Sequence, residues 1–102
     1  MADEVAWFCY MVQCKDGSFY VGIANDVEER VRRHNWGVGP GYTAQRKPVE
    51  LVWSKRYVNA ETARKREKEI KGWSRTKKLE LIAEVRRQNE IAGRPDGGRL
   101  AG

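Results

Sequence analysis

Between Trp7 and Ile23 the chain reads WFCYMVQCKDGSFYVGI, two apolar, β-prone runs on either side of a Lys15-Asp16-Gly17 turn. Two such runs joined by a short glycine-containing loop make a β-hairpin. The first run, Trp7 to Cys14, is almost continuously apolar, which predicts a central strand covered on both faces. The hairpin thus demands a sheet with further layers on each side.

Which side chains share a face depends on the loop, because a one-residue slip turns every side chain over. A two-residue Asp16-Gly17 loop pairs Lys15 with Ser18 and sets Tyr10 and Tyr20 on opposite faces. A three-residue Lys15-Asp16-Gly17 loop pairs Cys14 with Ser18, with Gly17 as the left-handed residue after a type I turn. Tyr20 then lies opposite Val12, and Gly22 lies opposite Tyr10, leaving room beside the Tyr10 ring. Both tyrosines share a face in this register. It is preferred on the position of Gly17, although the sequence alone leaves both registers open.

Farther along, Asn25-Asp26-Val27-Glu28 combines capping side chains with an early carboxylate and predicts a helix to about Asn35. The glycine-rich loop GVGPGYTAQRKP comes next, and its segment Gly37 to Gly41 resembles no phosphate-loop fingerprint and reads as a flexible connection. VELVWSKRYV, Val49 to Val58, reads as a third strand. Asn59 caps a charged helix from Ala60 to about Lys71, ended by Gly72, and Ser74 caps a last helix to about Gln88. The tail AGRPDGGRLAG has the composition of a disordered terminus. The expected fold class is α+β: a small three-stranded antiparallel sheet flanked by helices, in the order β-β-α-β-α-α. One domain is expected over residues 1–90, with a disordered tail over 91–102.

The chain has 102 residues and four tryptophans, which suits one core. Lys and Arg number 20 against 14 acids, a formal charge of +6 that favours a polyanionic partner. No long apolar run and no signal-peptide pattern is visible, so the expectation is a cytoplasmic protein with no membrane attachment. Cys9 and Cys14 fall in no CxxC or Cys/His spacing, and His34 is the single histidine. Neither a zinc site nor a disulfide framework is signalled.

Two helices carry polar residues where packing residues belong. Val27, Arg30, Val31 and His34 follow i, i+3, i+4, i+7, the face a helix turns to its sheet. Ala60, Ala63, Glu67 and Ile70 form a second stripe, with a carboxylate in its middle. Taken singly, each residue has an ordinary explanation: tyrosines are common in sheets, histidine suits a helix end, and glutamate a solvated helix face. Jointly they direct an arginine, a histidine and a glutamate toward a sheet bearing two tyrosine hydroxyls.

The ordered set FCY, YVG, Arg30, His34 and the A-x-x-x-E of Ala63 to Glu67 resembles the GIY-YIG nuclease family. DGSFYVGI, ERVRRHN and PVELVWS are especially similar to its small stand-alone bacterial members of the YhbQ type, related to the N-terminal nuclease domain of UvrC. The resemblance covers roughly Trp7 to Ile82 and implies the small antiparallel sheet already expected. It implies that Tyr10, Tyr20, Arg30 and His34 are catalytic, and that Glu67 holds one divalent metal ion, Mg²⁺ or Mn²⁺. In the implied mechanism, water attacks a phosphodiester while metal and arginine stabilise the growing charge. Either motif tyrosine could serve as general base. A free phenol has a pKa of about 10, so action near neutrality asks for a shift of roughly 3 units. A cation at about 4 Å supplies this, unless an apolar pocket raises the pKa instead.

Three departures are visible. The first motif lacks its glycine, Ile23 stands where some relatives have lysine, and SRTKKLELI holds no match to a downstream asparagine. They leave a nucleic-acid-binding module with weak or no cleavage as the alternative to an endonuclease, and an interaction protein as a third. Basic residues gather around the second helix and the turn after it. Arg64, Lys68, Lys71, Arg75 and Lys77 are expected to contact a nucleic-acid backbone, DNA in the first place, with Arg46 and Lys47 helped by Tyr42. Branched, damaged or single-stranded DNA is the expected substrate. Nothing recognisable reads bases, so selectivity is expected from shape or from a protein partner, and the chain is expected to be a monomer.

Overall fold

The computed structural model describes residues 5–37 and 41–92, with side chains through residue 88. The middle of the glycine-rich loop and the tail beyond residue 92 lie outside the described residues. The elements are β1 (Trp7–Cys14), β2 (Phe19–Ala24), α1 (Val27–Asn35), the one-turn α2 (Gly41–Ala44), β3 (Val49–Tyr57), α3 (Ala60–Lys71) and α4 (Arg75–Ala92). They form the expected α+β arrangement, with an antiparallel sheet in the order β2-β1-β3. No described helix is long and apolar enough to cross a membrane. The residues divide into two compact units, Met1–Gly72 and Trp73–Gly102.

The hairpin adopts the three-residue loop. Gly17 N–H donates to the Cys14 carbonyl at 2.9 Å, and Cys14 N–H donates to the Ser18 carbonyl at 2.8 Å. Gly17 sits at φ 88°, where a side chain would be strained. Tyr10 therefore pairs with Gly22 and Val12 with Tyr20. Tyr10, Val12, Cys14, Ala24, Val27 and Val49 close into one core layer, with Phe8, Tyr20 and Val31 packed against it. α1 covers this side of the sheet.

Cys9, Met11 and Val21 point the other way and are buried, as are Ala63 and Ile70 of α3, which packs on β1 and β2. β3 serves both layers through an irregularity in its pairing. Cys14 pairs with Val49 and Val12 with Leu51, but Met11 pairs with Trp53, so Val52 is an extra residue. The bulge flips the alternation. Val49 thereby shares the face of Tyr10, and Trp53 shares that of Met11.

Side-chain caps set the helix starts. Asp26 accepts from Glu29 N–H at 3.1 Å, and Asn59 accepts from Thr62 N–H at 2.8 Å. Asn35 ties the end of α1 to β3: it donates to the Val49 carbonyl at 3.2 Å and accepts from Val49 N–H at 2.6 Å. In the second unit Ser74 accepts from Lys77 N–H at 3.2 Å, and α4 runs past the expected end at Gln88 to Ala92.

Candidate active site

Tyr10 is wholly buried, and Gly22 is what makes room for it. A Cβ built on Gly22 would lie 2.9 Å from the Tyr10 hydroxyl oxygen and 3.0 Å from Cζ. The hydroxyl points at α1, where it is 2.9 Å from His34 Nε2. His34 is also wholly buried, and its Nδ1 lies 2.8 Å from the Thr43 hydroxyl of α2. A continuous polar chain, Tyr10–His34–Thr43, thus runs from strand to helix to helix.

Tyr20 lies over this chain and is only part-buried. Its ring centroid is 5.3 Å from that of His34, 6.4 Å from that of Tyr10 and 6.3 Å from that of Tyr42. Arg30, one turn before His34, is also part-buried and directs its guanidinium to the Ile23 carbonyl at 3.5 Å. The stripe Val27, Arg30, Val31, His34 therefore turns inward as its periodicity predicts, and it carries both polar groups into the tyrosine layer.

Electrostatics divide the members of this cluster. Burial pushes the Tyr10 phenol up to about 12, with Tyr20 and Glu67 adding to the rise and the charge and hydrogen bond of Arg30 opposing it. The pocket is of the kind that raises a phenol, so the cation does not win at this position. Burial, seconded by Arg30, lowers the His34 pKa, which leaves a neutral imidazole near neutral pH. Glu67 approaches from α3 with its side chain 17% exposed, and Lys71 Nζ pairs with it at 3.0 Å. Its charge reaches both Cys9, pushed up to about 12 chiefly by burial, and Tyr10.

Tyr10, Tyr20, Arg30 and His34 thus cluster on the α1 face of the sheet, and the charge of Glu67 on α3 is felt at Tyr10. The sequence pattern of the GIY-YIG catalytic domain matches residues 6–80, a span that holds all five. The chain belongs to the GIY-YIG family. A UPF0213 protein of Staphylococcus saprophyticus is 51% identical over 77 residues, covering 76% of this chain and 94% of that protein. A UPF0213 protein of Staphylococcus aureus is 52% identical with the same shares. Among solved structures, the solution NMR structure of a UPF0213 protein from Bacillus halodurans is 38% identical with a TM-score of 0.50, covering 76% of this chain and 83% of that one. A protein from E. faecalis is 30% identical with a TM-score of 0.55, covering 84% of this chain and 92% of that one. GIY-YIG domains are nuclease domains that act on nucleic acid, and this sets the kind of activity; the UPF0213 names add no specific function.

Family membership implies a metal, and the residues of this GIY-YIG domain can be tested for one. Among the described residues, no three His, Cys, Asp or Glu side chains converge. Of the described carboxylates, Glu67 alone is partly desolvated, and Lys71 balances its charge. Hard oxygen donors of this kind suit Mg²⁺ or Mn²⁺ when water and substrate phosphate fill the remaining positions. The donor set fits an ion completed by substrate.

The basic residues of this GIY-YIG domain fall into distinct environments. Arg64, Lys68 and Lys71 are exposed on α3, and Arg64 and Lys71 stand three before and four after Glu67, on its own side of the helix. Lys47 is exposed. Arg46 is engaged within the protein: its Nε donates to Asp16 at 3.1 Å and its terminal nitrogen to the Tyr42 carbonyl at 3.0 Å. Its guanidinium also lies 4.0 Å over the Tyr42 ring. Arg75 and Lys77 belong to the second unit, where Lys77 Nζ sits 4.5 Å from the centre of the Trp73 ring.

Thr43 is the member of the network that sequence reasoning missed. It falls in the glycine-rich loop GVGPGYTAQRKP, and four residues of helix carry no usable periodicity. The available signal was indirect: a buried histidine needs a partner for each ring nitrogen.

Alkaline pH is expected to weaken this fold. Folded Tyr10 and Cys9 keep their protons to about 12, whereas free phenol and thiol ionise around 10.0 and 9.0. The native state then holds more protons than the unfolded chain, so stability is intact below the unfolded pKa values and falls as pH rises toward the folded ones. Urea midpoints should drop over that window, and Tyr10→Phe, which has no phenol proton to lose, should drop less. Equal slopes in the two proteins would contradict the burial of the Tyr10 hydroxyl.

Proposed function

We propose that this GIY-YIG domain is an endonuclease that hydrolyses phosphodiester bonds of nucleic acid, DNA in the first place, with one divalent metal ion held by Glu67. The observation that carries this is the meeting of the Tyr10–His34 pair, Tyr20 and Arg30 within reach of the Glu67 charge. When bound, the ion would supply Lewis-acid stabilisation of charge on the phosphate.

The chain's own residues divide the remaining work. Tyr10 is neutral and shut away from solvent, so its hydroxyl orients neighbours. Tyr20, part-buried above it, is the motif tyrosine that an attacking water can reach. It is therefore the one placed to orient that water and, in its phenolate form, to take the water's proton and become the phenol. Arg30 faces the charge that grows on the phosphate oxygens. Exposed Arg64, Lys68 and Lys71, with Lys47, hold flanking phosphates, and the second unit offers Arg75 and Lys77 to the nucleic-acid backbone in its own right. Arg46 has two donors committed to Asp16 and the Tyr42 carbonyl, so with Tyr42 it contributes a flat stacking surface for an unpaired base. That favours branched or single-stranded DNA. The protein would act in the cytoplasm as a monomer, with selectivity from substrate shape or a partner protein.

The second reading is a nucleic-acid-binding module with little cleavage, favoured by the raised Tyr10 phenol and by Ile23 at the lysine position. One experiment separates the two. The protein is incubated with labelled duplex, flap, fork and single-stranded DNA and with RNA, with Mg²⁺, Mn²⁺ or chelator. Metal-dependent cleavage is the expected result, strongest where unpaired bases flank the phosphate. Salt-sensitive binding without cleavage, for every substrate and either metal, would overturn the nuclease in favour of the module.

A further inference from the structure

Thr43 lies outside the motif residues singled out in the sequence, yet it closes the buried end of the tyrosine–histidine chain. Its hydroxyl oxygen is 2.8 Å from His34 Nδ1, and both residues are fully buried. At the other end of the ring, Nε2 is 2.9 Å from the Tyr10 hydroxyl. Two hydroxyls therefore grip the two nitrogens of one imidazole, and each hydroxyl can donate or accept. The direction of the chain is set by where the Tyr10 proton goes.

Tyr10 is wholly enclosed, so water does not take that proton. The other polar group at its oxygen is the Arg30 guanidinium, which has only N–H donors and accepts nothing. Among the described residues, His34 Nε2 is the acceptor within reach. Nε2 must then present its lone pair, and a neutral imidazole with a bare Nε2 carries its hydrogen on Nδ1. That hydrogen points at Thr43.

We infer that Thr43 is a positioning residue: its hydroxyl accepts a hydrogen bond from His34 Nδ1–H, fixes that tautomer, and so keeps the Nε2 lone pair aimed at the Tyr10 hydroxyl. Turning the ring over would put Cδ2 and Cε1 where Nδ1 and Nε2 stand and strip both buried hydroxyls of their partner, and a buried unpaired polar group is costly. Thr43 thereby sets where the Tyr10 oxygen rests beside Arg30. α2, a single turn of helix, is what brings the threonine to the ring.

The tautomer is a property of the folded chain and stands apart from catalysis; only its kinetic consequence rests on the nuclease reading. With one histidine in the sequence, ¹⁵N-histidine labelling gives a single imidazole to follow. The wild type should show Nδ1 as the protonated, pyrrole-type nitrogen and Nε2 as the pyridine-type one. Thr43→Val keeps the shape and removes the acceptor, so the two signals should exchange character or move toward each other. Thr43→Ser should restore the wild-type pattern. A proton on Nε2 in the wild type would overturn the inference, as would an unchanged pattern in a Thr43→Val protein whose backbone amide spectrum is native. Should valine prevent folding, Thr43→Ala is measured in its place under the same criterion. On the nuclease reading, Thr43→Val should lower the cleavage rate about 10- to 100-fold with KM unchanged, the size of effect seen when an outer partner orienting a functional histidine is lost, and serine should recover it. A wild type that cleaves nothing would remove the nuclease while the tautomer result stood.

Discussion

Glu67→Gln is expected to lower metal-dependent cleavage by about 10³-fold while leaving the thermal midpoint close to that of the wild type. Glutamine keeps the volume and one carbonyl oxygen but removes the negative charge that a hard cation requires. If the ion contributes several kcal/mol to stabilising the reacting phosphate, its loss corresponds to a factor of about 10³ in rate. Stability changes little because the Glu67–Lys71 pair is an i, i+4 helix pair with a half-exposed lysine. Such pairs contribute only about 0.3–0.5 kcal/mol. Single-turnover cleavage, run beside Mn²⁺ binding followed by water proton relaxation, reads both halves of the expectation. A variant that still cleaves at the wild-type rate would remove Glu67 from the metal site. Loss of cleavage with Mn²⁺ binding intact would make the carboxylate something other than a ligand. The substitution also removes a charge that raises the Tyr10 and Cys9 pKa values, so both groups should titrate somewhat lower than in the wild type.

The hairpin register was legible because a single residue decides it. Gly17 occupies the one position of a three-residue loop that asks for positive φ, and the pairing of every residue from Phe8 to Gln13 follows from that turn. The caps at Asn59 and Ser74 were legible for a similar reason: the decisive chemistry is local. The inward stripes of α1 and α3 could be read because both helices exceed two turns, enough for a period to show. What was not legible is non-local or too short. The bulge at Val52 has no glycine to announce it, and it arises because β3 must feed two opposite core layers. α2 is one turn long, so Thr43 reads as loop. For Arg46 the sequence suggests a contact to nucleic acid and gives no sign of Asp16, thirty residues away, which it meets at the hairpin turn. The Tyr10 phenol illustrates the limit best. A nearby cation suggested a lowered pKa, and Arg30 does pull it down. The larger effect is desolvation, set by every atom around the ring. A sequence names the candidate partners of a tyrosine and says little about how completely they enclose it.

Gly22→Ala is the change expected to damage both fold and site. In a strand, alanine would ordinarily be no worse than glycine, since glycine weakens strands. Here the added methyl meets the Tyr10 ring at 2.9 Å from the hydroxyl oxygen, 3.0 Å from Cζ and 3.1 Å from Cε1, closer than such atoms can rest. The ring has little freedom to yield. It is wholly buried, packed with Val12 and Ala24 on its own face, and tied to His34 by its hydroxyl. Overpacking of this kind costs about 1–3 kcal/mol. Relief requires the hydroxyl to move off Nε2, which also breaks the hydrogen bond that holds it. Gly72→Ala supplies the comparison, since a Cβ there meets only the backbone oxygens of Glu69 at 3.6 Å and Lys68 at 4.0 Å, ordinary contacts. Urea unfolding should show a clear loss for Gly22→Ala and almost none for Gly72→Ala, and the His34 ring nitrogen signals should move only in the first. Where Gly22→Ala remains folded under assay conditions, cleavage should still fall, because the tyrosine would have left its place beside Arg30. A Gly22→Ala protein as stable as the wild type, with unmoved histidine signals, would mean that the ring has room to spare. Glycine at this position would then reflect only the strand, and Tyr10 would be held by His34 alone.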